Sequence, residues 1–131
     1  MEKIELNSNF HKEGLKNNAH FVPKGWGSER WIINRDDYCG KLLHMKKNKK
    51  LSWHFHEKKT ETFFISSGHI LLYYGYSDDM SAAIEQELSA GDIFHIPTGL
   101  RHRLLALEDS DIIEFSTHHE DSDSIRIEKG D

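Results

Sequence analysis

The chain has 131 residues, 37% of them hydrophobic and 30% charged, with a formal net charge of -5, ten His and one Cys. At roughly 100 to 200 residues per domain this is one globular unit with a proper core and no second domain. The composition excludes wholesale disorder, the lone Cys39 excludes an intrachain disulfide, and the acidic balance argues against nucleic-acid binding, which needs clustered Lys and Arg to displace counterions. No apolar stretch approaches the roughly 18 residues of a membrane span, and the N-terminus lacks the apolar region of a signal peptide. The expectation is a cytoplasmic protein with neither membrane nor nucleic acid as partner.

Residues 1–23 are polar, with isolated apolar side chains at Ile4, Leu6, Phe10 and Leu15. They are expected to form an arm outside the core, able to dock on a partner subunit, ahead of a single domain over 24–131. From Arg30 onward, short runs of Ile, Leu, Phe and Tyr recur about every ten residues, the pattern of an all-β sandwich or barrel. Ten strands are expected, over 30–34, 38–46, 51–56, 60–66, 69–76, 82–88, 92–96, 101–107, 111–117 and 124–128. Turn residues such as Ser67-Gly68, Ala90-Gly91-Asp92 and Pro97-Thr98-Gly99 separate them. The basic cluster Lys46, Lys47, Lys49 and Lys50 centres on Asn48 and reads as a solvated hairpin turn. No window carries a convincing helical stripe, although 82–88 is ambiguous between a strand and a helical turn.

The densest chemistry lies in the fourth and fifth runs. Side chains alternate along a strand, so His54 and His56 share one face while Trp53 and Phe55 share the other, where Trp53 is expected to pack between sheets. Glu61 opens the next run and can be returned beside the imidazoles by a hairpin. Farther on, Gly91, Pro97 and Gly99 shape a turn that leads into His102, which completes three imidazoles and a carboxylate if the strands close into a barrel. Such a set suits a divalent transition metal. Nitrogen ligands disfavour Mg and Ca and leave Zn, Mn, Fe, Ni, Co or Cu.

At these residues the sequence resembles the cupin superfamily. The first cupin motif, G-x5-H-x-H-x3,4-E-x6-G, runs from Asn48 through His54, His56 and Glu61 to Gly68, with Asn48 in place of the opening Gly. The second, G-x5-P-x-G-x2-H-x3-N, runs from Gly91 through Pro97, Gly99 and His102 to Ala106, with Ala106 in place of the closing Asn. The resemblance implies a jelly-roll barrel, a double-stranded β-helix, with a metal inside, and a homodimer. The flanks, Lys24-Gly25-Trp26-Gly27-Ser28, Glu114 to Thr117 and Asp123 to Glu128, are similar to those of cupin-type mannose-6-phosphate isomerases. They differ from that family in having His54 for Gln and Lys59 for Arg, and the chain ends at Asp131 without its closing Tyr-Gly-Arg.

That narrower resemblance implies a sugar-phosphate or related carbohydrate substrate and metal-assisted proton transfer. His44 and His95 are the candidate catalytic bases, and Lys24, Lys59 and Arg126 the candidate phosphate-binding cations. Two other readings stay open, a metal-dependent dioxygenase and a non-catalytic module that binds a small ligand. Cys39 reads as a small buried residue without a catalytic partner.

Overall fold

A computed structural model describes residues 16–131. The alternating pattern folds into eleven strands: β1 (His20–Lys24), β2 (Gly27–Asn34), β3 (Cys39–Met45), β4 (Trp53–His56), β5 (Glu61–Ser67), β6 (His69–Gly75), β7 (Ile84–Ser89), β8 (Ile93–Ile96), β9 (Arg101–Ala106), β10 (Ser110–Ser116) and β11 (Ser124–Glu128). Their antiparallel pairing builds a six-stranded sheet, β1-β2-β3-β10-β5-β8, and a five-stranded sheet, β11-β4-β9-β6-β7. Together they form the jelly-roll barrel. Among the described residues the only helical pieces are 3-10 turns at Met80–Ala82 and Asp121–Asp123.

The ten expected strands form, β2 starting earlier at Gly27 and β4 later at Trp53, with three further differences. Ala82 ends a 3-10 turn whose preceding Asp79 accepts the Ser81 N–H at 2.9 Å, so β7 starts only at Ile84. Residues 20–23, placed in the arm by their composition, belong to β1 and pair with β2 through His20↔Trp31 to Lys24↔Gly27. Of the rest of that arm, residues 1–15 lie outside the described residues and 16–19 lead into β1 without regular structure. Thirdly, Trp53 does not pack between the sheets. Alternation turns it away from His54 and His56, and the connection after β6 covers it, its Nε1–H donating to the Asp78 carbonyl at 2.9 Å.

Inward-facing Leu43, Met45, Phe63, Ile65 and Ile112 of the larger sheet meet Ile70, Leu72, Leu104 and Ala106 of the smaller one in a single buried core. Toward one end of the larger sheet the inward rows turn polar. Lys41 stands opposite Glu114, while Ser116 stands between Cys39 and Glu61. The barrel is thus packed at one end and chemically equipped at the other. Two motif positions show why their residues suit them. Asn48 sits at φ 68°, a left-handed conformation that Asn tolerates nearly as Gly does, and Gly68 at φ 94° has no Cβ to strike Ser110.

The connection that carries the chain from His56 to Glu61 is fixed by one side chain. Asp123 accepts the N–H groups of Glu57, Lys58 and Lys59 at 3.0, 3.0 and 2.9 Å. Burial opposes its ionisation, and those three donors outweigh burial and hold its carboxyl below the usual range. A depressed folded pKa adds stability above the unfolded value, about 3.9, which is lost as pH falls through the folded one. Asp123→Ala should therefore lower unfolding stability by about 2 kcal/mol at pH 7. Denaturant titrations of both proteins across pH should show that gap constant down to about pH 4 and shrinking below it.

Candidate metal centre

His54 and His56 stand two residues apart on β4, and antiparallel pairing sets His54 directly opposite His102 of β9. Glu61, the first residue of β5, faces them from the other sheet. One potential ligand atom from each of the four residues lies within 4.8 Å of the others, and His102 is fully buried at 0% exposure. A strand pair and a facing strand thus bring together four residues spread from 54 to 102.

The backbone fixes which ring nitrogen faces the centre. His54 Nδ1 lies 3.0 Å from the Ser52 carbonyl, His56 Nδ1 3.2 Å from that of Asp123, and His102 Nδ1 2.8 Å from that of Leu100. A carbonyl can only accept, so each Nδ1 carries a proton, and in a neutral ring Nε2 is then left with its lone pair. The Nε2 atoms of His56 and His102 are buried without a hydrogen-bond partner, at a cost of about 1–3 kcal/mol each. Glu61 Oε1 stands 2.8 Å from His102 Nε2 and 3.7 Å from His56 Nε2. Lone pairs so directed at a carboxylate oxygen call for a cation between them. Burial, with His102 and His56 beside it, holds His54 well below the usual histidine range, in the neutral form that ligates. The cluster could therefore bind a divalent metal, and its N3O donor set suits a transition ion.

The second oxygen of Glu61 belongs to a buried ion network. Lys59 Nζ lies 3.1 Å from Glu61 Oε2, 3.2 Å from Glu114 Oε2 and 3.1 Å from His119 Nδ1. Burial opposes the charge on Lys59, but the carboxylates of Glu114 and Glu61 prevail and raise its pKa above the ordinary lysine value. Burial likewise opposes ionisation of Glu61, and Lys59 with the imidazoles overcomes it and holds the carboxyl well below its usual range. An ammonium only donates, so His119 Nδ1 accepts from Lys59 and its Nε2–H donates to Asp121 Oδ1 at 2.8 Å. Burial, then Lys41 and Lys59, lowers the His119 pKa and keeps the ring neutral.

Beside this cluster lies a cavity of about 480 Å³. Lys24, Lys59 and Arg126 line it together with His54, His56 and Glu61. Lys24 lies 3.9 Å from Glu29, whereas Arg126 has no ion-pair partner among the described residues. His44 and His95 are not brought there. Leu43 and Met45 point into the core, so His44 points outward, into a separate concavity with Ser28 and Arg30, and pairs with Asp111 at 2.8 Å. Ile96 points inward, so His95 points outward and lies 3.0 Å from Thr62 Oγ1. In their stead the cavity wall holds Lys41, Glu114, His119 and Asp121.

The family model for the cupin domain matches residues 41–118. Among solved structures, the chain is similar to the capsular polysaccharide assembling protein CapF of Staphylococcus aureus, with a TM-score of 0.72 and 21% identity over 86% of this chain and 35% of that one. KdgF from Halomonas sp. gives 0.67 and 18% over 79% and 91%, and a variant oxalate decarboxylase of Bacillus subtilis gives 0.72 and 15% over 82% and 30%. The chain thus spans about a third of the length of CapF. At these identities the likeness shows a shared fold. No curated protein matches the chain. No helix among the described residues is long and apolar enough to cross a membrane. The matched residues run from β3 past β10 and include all four of the clustered histidine and glutamate positions, and the chain belongs to the cupin family.

Proposed function

We propose that the protein is a cytoplasmic, metal-dependent enzyme that acts on a sugar phosphate or a related carbohydrate by proton transfer, in the manner of an isomerase. The observation that carries this reading is the charge of the cavity wall. Lys24, Lys41, Lys59 and Arg126 stand against Glu29, Glu61, Glu114 and Asp121, and an imidazole that ligates a metal does so in its neutral form. A divalent ion therefore leaves a surplus of two positive charges, which a phosphate of about -1.5 to -2 neutralises.

When held by the three Nε2 atoms and Glu61 Oε1, a divalent metal supplies a Lewis acid for a carbonyl and its neighbouring hydroxyl. Lys24 and Arg126 bind the phosphate. Lys59, enclosed by two carboxylates and His119, is committed to the protein and does not reach it. Glu114 carries the proton. Its Oε2 is held by Lys59, its Oε1 has no partner among the described residues, and one ammonium separates it from Glu61.

We also infer that two copies pair through the outward face of the larger sheet. There Ile93, Phe64, Ile113 and Leu42 form one cross-strand apolar row, with Phe115 beside it; Ile93 is 67% and Phe115 57% exposed. A contiguous apolar face of this kind suits an isologous contact.

Metal analysis of protein purified without added metal should find a divalent transition ion, and the pair of substitutions His54→Ala and His102→Ala should remove it; retention by that double variant would show that the cluster is not the site. In NMR assays in D2O the metal-loaded protein should interconvert mannose 6-phosphate and fructose 6-phosphate with solvent exchange. Glu114→Gln should slow this by about 10²-fold or more without loss of metal. No turnover, or oxygen uptake on another substrate instead, refutes the isomerase reading. Sedimentation should give a dimer that Ile93→Asp with Phe115→Asp converts to monomer; an unchanged mass rules out this interface.

A further inference from the structure

We propose that Lys59 is a positioning residue that confines Glu61 to one-oxygen coordination, and so keeps a place on the metal open for substrate. The assignment rests on the metal reading above. Glu61 Oε1 is turned toward the imidazoles, 2.8 Å from His102 Nε2, while Oε2 meets Lys59 Nζ at 3.1 Å. An ammonium has three protons, and Lys59 has three acceptors around it, Glu61 Oε2, Glu114 Oε2 and His119 Nδ1, all within 3.2 Å. The backbone N–H of Lys59 is tied to Asp123 Oδ2 at 2.9 Å, and the residue is only 3% exposed. The side chain has no solvent to retreat to.

For Glu61 to turn both oxygens to a metal, Oε2 would have to leave Lys59, and a buried ammonium would lose one of its two carboxylates. Glu61 therefore offers one oxygen, and the protein offers four donor atoms in all. A five- or six-coordinate ion then keeps at least one position for an outside ligand. The charge on Lys59 also repels a divalent ion, so it works against tight metal binding. Its removal should therefore change how Glu61 coordinates, with the metal still held. A residue that merely filled space would show the reverse, with lower stability and an unaltered coordination sphere.

Co2+ reports coordination number through its visible bands, which weaken as ligands are added. The wild-type protein, Lys59→Met, and Lys59→Met combined with Glu114→Gln should be loaded with Co2+ and titrated with azide as a probe of the open position. The combined variant preserves the balance of buried charge should the single one fail to fold. Expected are cobalt retained in the folded variants, weaker visible bands, and azide binding reduced about tenfold. A wild-type spectrum with wild-type azide affinity would overturn the role of Lys59 and leave the metal site standing. Loss of cobalt from the folded variants would overturn it as well. If the wild-type protein takes up no Co2+, the metal reading fails and this assignment falls with it.

Discussion

The carbonyls of Ser52, Asp123 and Leu100 each take the Nδ1 proton of one imidazole, and the chemistry of the barrel depends on those three hydrogen bonds. Without them a buried histidine could present either nitrogen, and a neutral ring could meet its neighbours with an N–H as readily as with a lone pair. With them, three lone pairs and a carboxylate oxygen converge. Two of the carbonyls lie two residues before their histidine, Ser52 for His54 and Leu100 for His102, so the local backbone at the start of β4 and β9 does the orienting. The third comes from Asp123, far along the chain.

That third contact couples the site to the fold. The Asp123 carbonyl orients His56, while its carboxylate gathers the N–H groups of Glu57, Lys58 and Lys59, the residues that lead from His56 toward Glu61. A single residue before β11 thus sets one imidazole directly and the clustered carboxylate of Glu61 through its connection. Loosening it would misplace donor atoms on both sheets, because β4 and β5 belong to different ones. The cost of burying Lys41, Lys59, Glu61 and Glu114 is offset in the same region, where each charge finds a counter-charge within about one side chain's reach.

What the sequence made legible follows from how local each signal is. His54 and His56 are two residues apart on one strand, and the turn before His102 has Gly and Pro at the positions that shape it, so the clustering of these residues could be read in advance. The outward direction of His44 and His95 was equally available, since each neighbours inward apolar residues, Leu43 and Met45 for one and Ile96 for the other. The same parity marks Lys41, in phase with Leu43, and Glu114, in phase with Ile112, as inward charges. His119 gave no such sign. It follows β10 in a connection, and its place is fixed by Asn34, whose side chain exchanges two hydrogen bonds with the His119 backbone across 85 residues. β1 was missed because its inward and outward residues are both largely exposed at the sheet edge.

The division of the larger sheet explains why one short chain can support both a core and a reactive centre. Along β3 the inward residues pass from Met45 and Leu43 to Lys41 and Cys39, and along β10 from Ile112 to Glu114 and Ser116. Antiparallel pairing puts the polar ends of these strands side by side, so the buried charges of this sheet, Lys41, Glu61 and Glu114, gather in one patch. The register therefore matters more than any single pair. A slip of one residue between β3 and β10 would set Lys41 against an outward neighbour of Glu114 and break up the shared polar end. The polar patch thus favours one register, and the apolar half supplies the stability that lets the polar half keep its lone pairs unsatisfied.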